Sequence, residues 1–207
     1  MISTKHFDEL EIADNFLAKY VAKKCRKYND VLISGGTSFL FMLESLSLQN
    51  NQVNFYLTDE RDVKSSSSDS NLFSYNRLNY KNIRFNGFIP EKNYKKTLHN
   101  YENRLPDNFF NLCLLGVGED GHIASIFPNQ RDFIFNSKHS FYCRSENHKY
   151  NRYSLNLDYI IESKTIVLYF RGTKKIEAYN KFFNRDFHPL NKLIEQKKKV
   201  KIILANG

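Results

Sequence analysis

Tryptophan is absent from this 207-residue chain, and cysteine occurs only three times. The missing tryptophan carries no functional information. The cysteines do: Cys25, Cys113 and Cys143 are odd in number and far apart, so they read as reduced thiols of a cytoplasmic protein rather than a disulfide framework or a zinc knuckle. No apolar run approaches the ~18 residues of a membrane span. The polar start, Met1 to Glu9, lacks the apolar centre of a secretory signal, so no membrane association is expected. RNA-binding aromatic motifs, basic-zipper spacing and zinc-finger spacing are all missing, which argues against nucleic acid as a partner. His99, His139 and His148 stand at no ligand spacing from His122, so no metal is expected. There is no G-x-S-x-G elbow, so a hydrolase of this sequence would use water as its nucleophile.

What is present is a globular composition. Hydrophobic residues make up 41% and aromatic residues 15%, enough for a full core. The net charge of +9 fits attraction of an anion, either nucleic acid or a small molecule, or a generally basic surface. The only dense basic run, Lys197 to Lys199, reads as an exposed lead-in to an apolar terminal strand, Val200 to Leu204.

Strands and helices alternate along the chain. Leu10, Ala13, Leu17, Tyr20 and Val21 fall at helical spacing, which predicts a first helix ending between Cys25 and Tyr28. Asp30 to Ser34 reads as a buried strand, followed by Gly35-Gly36-Thr37-Ser38 and a helix over Phe39 to Leu46. A glycine corner at a helix start suits a phosphate or sugar oxygens, because the backbone can approach closely and N–H groups are free. An ordinary capped turn has the same pattern. Gln52 to Thr58 is a strand ending in four charges, Asp59-Glu60-Arg61-Asp62. The polar segment Ser65 to Asn71 reads as a loop over a crevice, with Ser70-Asn71 capping the next helix. Asn82 to Ile89 is a weak strand. Pro90 is expected to open a helix striped by Tyr94, Leu98, Tyr101 and Leu105 and closed by Pro106. Phe109 to Leu115 is a strand. Later strands are expected over 133–135, 141–144, 152–157 and 165–170. Gly172-Thr-Lys-Lys175 opens a helix containing Ile176, Tyr179 and Phe183, and a short helix covers Pro189 to Ile194. No repeat or domain boundary is visible, so residues 1–207 are read as a single α/β domain with a mostly parallel sheet.

The most informative stretch is Leu112-Cys-Leu-Leu-Gly-Val-Gly-Glu-Asp-Gly-His-Ile-Ala-Ser-Ile-Phe-Pro128. An apolar strand feeds a glycine-rich loop carrying Asp120 and His122, and a short helical segment stopped by Pro128 is expected after it. Gly116 to Gly121 matches G-x-G-x-x-G literally. A dinucleotide site is excluded because Pro128 ends the following helix too soon, no acidic residue lies ~20 residues on, and Asp120 would repel a pyrophosphate. His122 can instead act as a general base oriented by Asp120. A turn at Asp120-Gly121 with His122 as a cap fits the same residues.

Taken together, these stretches resemble the 6-phosphogluconolactonase family, which is related to the glucosamine-6-phosphate deaminases. The matching pieces are Ser34-Gly-Gly-Thr37, Thr58-Asp-Glu-Arg-Asp-Val63, Asp69-Ser-Asn71 and Leu115 to Pro128, with Arg152-Tyr-Ser-Leu-Asn and Gly172-Thr-Lys-Lys175 matching more weakly. The resemblance implies a Rossmann-like three-layer fold, a mostly parallel sheet flanked by helices, with a small additional β region. It implies hydrolysis of 6-phospho-glucono-1,5-lactone to 6-phosphogluconate without a cofactor, in the cytoplasm. His122 would be the general base and Asp120 its orienter. Arg152 and Lys175 would hold the phosphate with Gly35, Gly36 and Thr37, while Asp59, Glu60 and Arg61 line the sugar site. Ser70, Asn71 and Gly118 join the implied substrate-binding set. Arg61 or a loop N–H would meet the oxyanion. The implied partner is a phosphosugar lactone, and the oligomeric state is left open, a monomer included. The deaminases carry a Glu immediately before the Pro; here that position is Phe127, which favours the lactonase over an isomerase or deaminase. A non-catalytic sugar-phosphate sensor is the remaining alternative. Lys64 replaces the family's usual Pro, and Asn147 to Asn151 replaces its Pro-rich approach to the Arg-leading strand.

Overall fold

The computed structural model describes residues 2–26, 29–128, 133–144, 149–182, 189–196 and 199–207; Tyr28, Asn147, His148, Phe183 and the Lys197–Lys198 pair lie outside them. In chain order the elements are β1 (Ile2–Phe7), α1 (Leu10–Lys24), β2 (Asp30–Ile33), α2 (Leu40–Ser47), β3 (Val53–Leu57), β4 (Asp59–Arg61), α3 (Asn71–Asn76), β5 (Ile83–Asn86), α4 (Tyr94–Glu102), β6 (Leu112–Gly116), β7 (Phe133–Asn136), β8 (Ser140–Cys143), β9 (Arg152–Leu155), α5 (Leu157–Ile161), β10 (Thr165–Arg171), α6 (Thr173–Phe182), α7 (Pro189–Gln196) and β11 (Val200–Ala205).

Seven strands form one parallel sheet in the order β1-β11-β10-β6-β2-β3-β5. Alternate side chains of its central strands enter opposite cores, as the two-residue period of a strand requires. Val31, Ile33, Leu112, Leu114, Val167 and Tyr169 pack with Leu17, Val21, Met42 and Leu46 of α1 and α2. Leu32, Cys113, Leu115, Ile166, Leu168 and Phe170 pack with Leu98 and Tyr101 of α4, Ile160 of α5, Ala178 of α6 and Leu193 of α7. Both faces are covered, which is why these strands read as near-continuous apolar runs. The result is the expected three-layer α/β fold. The additional β region is a four-stranded antiparallel sheet, β4-β9-β8-β7.

Several elements differ from the sequence reading. The polar N-terminal segment is a strand: β1 lies parallel to β11 at the sheet edge, with most of its side chains in solvent, so it needs no apolar alternation. The charge run after β3 holds a strand the sequence reading did not separate: Asp59–Arg61 pairs with β9. Helix α4 starts at Tyr94 beyond Pro90, because Asn93 caps it by accepting from the Lys95 N–H at 3.0 Å. It ends at Glu102, before Pro106. No helix forms over the described residues 117–128; isolated bridges Val117–Ile123 and Ile123–Ile126 fold that stretch back on itself. Helix α5, capped by Asn156, has no counterpart in the expectations.

The chain builds β3 and β5 on one side of β2, then crosses to build β6, β10 and β11 on the other. The carboxyl ends of β2 and β6 therefore form the switch point where open α/β sheets hold ligands. Among the described residues, no helix is long and apolar enough to cross a membrane.

Candidate active site

A cavity of about 320 Å³ opens at that switch point, lined from β2 by Ser34 to Ser38, from β4 by Asp59 and Arg61, and from the loop after β6 by Gly116, Val117, Gly118, His122 and Ala124. Asn71, Arg152 and Lys175 complete its wall. Ten of the sequence-derived candidates thus meet in one place: Gly35, Gly36, Thr37, Asp59, Arg61, Asn71, Gly118, His122, Arg152 and Lys175.

The two loops are tied together at their roots. Ser34 N–H donates to the Leu114 carbonyl at 2.9 Å, and Gly116 N–H donates to Ser34 Oγ at 2.8 Å. Gly36 takes a φ of +87°, which an L side chain resists. The Tyr75 hydroxyl holds this corner by reaching the Ser34 and Gly36 carbonyls at 3.0 and 3.1 Å. The residue at the N-cap of α2 is Phe39, which supplies no side-chain cap. The corner is therefore not a Thr- or Ser-capped turn. Ser38 Oγ instead accepts from Lys175 Nζ at 2.8 Å, aiming that amine at the corner.

In the loop after β6, His122 Nδ1 and Asp120 Oδ1 are 2.5 Å apart, and His122 N–H donates to the same oxygen at 3.2 Å. Burial pulls the Asp120 carboxyl upward, but the hydrogen bonds and charge of His122 outweigh it and hold the group at about 2. An ionised carboxylate only accepts, so Nδ1 carries the proton and Nε2 is the basic nitrogen. Asp120 sits behind the imidazole, outside the cavity lining. Gly118 permits this pairing: a Cβ there would lie 2.2 Å from His122 Nδ1 and 2.6 Å from Asp120 Oδ1. The ring of Phe127 packs 4.9 Å from the imidazole centroid.

Three cations share the wall. Burial lowers the Lys175 pKa, partly offset by Glu119. Burial likewise lowers that of Arg152, opposed by Asp59; an arginine stays charged nonetheless. Arg152 Nε is buried without a hydrogen-bond partner among the described residues. A buried guanidinium nitrogen without an acceptor is costly, and Arg152 also lines the cavity. Arg61 is anchored by Nη1 donating to the Asp69 carbonyl at 2.7 Å.

Glu60 and Ser70 stand outside the lining. Glu60 is fully buried and accepts from the N–H groups of Arg61, Asn71 and Leu72 and from the Ser70 hydroxyl, at 2.7 to 3.0 Å. Ser70 also caps α3 by accepting from Phe73 N–H at 3.1 Å. Both groups turn towards the start of α3. The segment 65–70 also contributes no lining residue. Residues the sequence reading did not single out for the site include Ser38, which aims Lys175, and Ala124 and Ser125, which shape the His122 loop. Ser38 and Ser125 were visible inside the quoted motifs, but a serine has no periodicity to mark it. Among the described residues, no three His, Cys, Asp or Glu side chains cluster closely enough to hold a metal ion.

The glucosamine-6-phosphate isomerase/6-phosphogluconolactonase family matches over residues 10–203. A 6-phosphogluconolactonase from Borreliella burgdorferi is 32% identical over 176 residues, covering 75% of this chain and 73% of its own. One from Thermotoga maritima is 30% identical over 164 residues, covering 70% of each chain. The crystal structure of a 6-phosphogluconolactonase from Shewanella baltica superposes with a TM-score of 0.85 at 21% identity, covering 100% of this chain and 98% of its own.

Proposed function

Because the chain belongs to the glucosamine-6-phosphate isomerase/6-phosphogluconolactonase family, we propose that it hydrolyses 6-phospho-D-glucono-1,5-lactone to 6-phospho-D-gluconate. One observation carries this reading: a single cavity joins a carboxylate-backed imidazole to a wall of three cations. The first suits proton transfer and the second suits a phosphate.

In this mechanism Arg152, Lys175 and the Gly35–Gly36–Thr37 corner hold the phosphate. Arg61 and Asn71 line the sugar, with Gly118 beside the imidazole. Water attacks the lactone carbonyl carbon while His122 Nε2 takes its proton, and the carbonyl electrons pass to oxygen. Collapse of the tetrahedral intermediate re-forms the carbonyl and breaks the bond to the ring oxygen. The imidazolium returns the proton to that oxygen, and the new carboxylic acid ionises, releasing one proton. Asp120 stabilises the imidazolium and keeps its proton on Nδ1. The reaction requires no redox or metal step. A single domain acting in the cytoplasm completes the proposal.

Phe127 argues against an isomerase or deaminase. It packs on His122 at the position where the deaminases carry a carboxylate. The test is proton release from freshly generated 6-phosphogluconolactone. Wild type is expected to exceed the spontaneous rate clearly; no acceleration would overturn the assignment. Lys175→Ala should weaken use of the phosphorylated lactone far more than that of glucono-1,5-lactone. Equal weakening would remove Lys175 from the phosphate site.

A further inference from the structure

The His122 loop ends in a turn to which the mechanism above gives no role. Ile123 and Ile126 exchange backbone hydrogen bonds of 3.3 and 2.9 Å around Ala124 and Ser125, and Ala124 takes a φ of +52°. Alanine resists that conformation, so its surroundings must impose it. Ser125 supplies the constraint. It is fully buried; its hydroxyl donates to Asp59 Oδ2 at 2.8 Å and its N–H to Ser154 Oγ at 3.3 Å.

Asp59 is itself 5% exposed. Its other oxygen, Oδ1, accepts from Gly35 N–H at 3.5 Å and from the Thr58 hydroxyl at 3.3 Å. One carboxylate therefore touches both loops that frame the cavity: the Gly35 corner through one oxygen and the His122 loop through the other. Both oxygens of Asp59 thus already accept from donors that belong to or adjoin the two loops. Asp59 is placed to connect the two loops while lining the cavity between them.

We infer that the Asp59–Ser125 bridge sets the spacing between the Gly35–Gly36 anion corner and His122, with Ser125 as a positioning residue that makes turnover depend on a phosphate at the far end of the lactone. The phosphate fixes one end of the substrate. The carbonyl meets His122 only if the two loops keep their separation, and a displacement on the order of 1 Å is enough to lose that alignment. The substrate in this inference rests on the proposed lactonase activity; the bridge itself does not.

The experiment compares wild type with Ser125→Ala in two readouts. In the substrate-free protein, the His122 imidazole resonances should shift or broaden in the variant. With both lactones, the preference in kcat/KM for the phosphorylated over the unphosphorylated compound should fall about tenfold. Asp59→Asn, which replaces one acceptor oxygen of the bridge by a donor, should give both effects and serves if Ser125→Ala does not fold. Unchanged imidazole resonances overturn the bridge whatever the lactones do. Altered resonances with an equal loss on both lactones overturn its role in phosphate dependence. If wild type accelerates neither lactone, the lactonase reading fails by itself, and the bridge stands or falls on the resonances.

Discussion

Two acidic segments flank the cavity, and their carboxylates are used in opposite ways. On β4, Asp59 and Glu60 are buried and surrounded by donors. Glu60 alone takes three backbone N–H groups and a hydroxyl. Burial raises its pKa, and those hydrogen bonds offset the rise only in part. In the loop after β6, Asp120 is about half exposed and bonds the ring and N–H of His122. The first segment organises backbone, and the second tunes a side chain that can move a proton. Four consecutive charges make 59–62 look the richer site in sequence, yet the lone Asp-Gly-His carries the proposed base.

The contrast breaks most visibly at Glu60. Glu60→Ala would leave four buried donors without their acceptor and should cost on the order of 3 kcal/mol, read from a urea midpoint. A loss below about 0.5 kcal/mol, the usual range of a surface change, would mean that Glu60 is not the anchor of α3. Asp120→Asn should do the reverse. Its stability should fall by less than that of Glu60→Ala, while kcat falls about 100-fold because the imidazole loses the partner that fixes its tautomer. An undiminished kcat would show that His122 needs no orienting group. Gly118→Ala, whose Cβ collides with the pair, should lower kcat about tenfold with little change in KM for the phosphorylated lactone. A change confined to KM would place Gly118 in substrate binding instead.

The smallest effect concerns acid. The Asp120 carboxyl is depressed from 3.8 to about 2 in the fold, so its stabilising contribution is present above 3.8 and is lost as pH falls through about 2. The difference in urea midpoint between wild type and Asp120→Asn should shrink between pH 5 and pH 2. A constant difference would contradict the pairing.

How much of this was legible in the sequence depended on the kind of interaction. The apolar runs of β2, β3, β6, β10 and β11 announce a buried sheet because both faces are covered. The glycine corners at 35–36 and 116–121 announce close backbone approach. Strand β1 was hidden because an edge strand in solvent needs no apolar pattern. Strand β4 was hidden because its charges are neutralised by donors from α3 and the His122 loop, which no local window contains. The Asp120–His122 pair is local and could be read directly. The Asp59–Ser125 bond spans 66 positions and could not. For the same reason Ser38, paired with Lys175 from 137 residues away, drew no notice.

The central claim is that His122, backed by Asp120, is the base in a cavity whose other wall binds phosphate. The most direct measurement is kcat for acid release from 6-phosphogluconolactone by His122→Ala, with binding of 6-phosphogluconate followed in parallel. The expected result is a fall of about 10³-fold towards the spontaneous rate, with product binding retained. A variant that turns over like wild type would contradict the account.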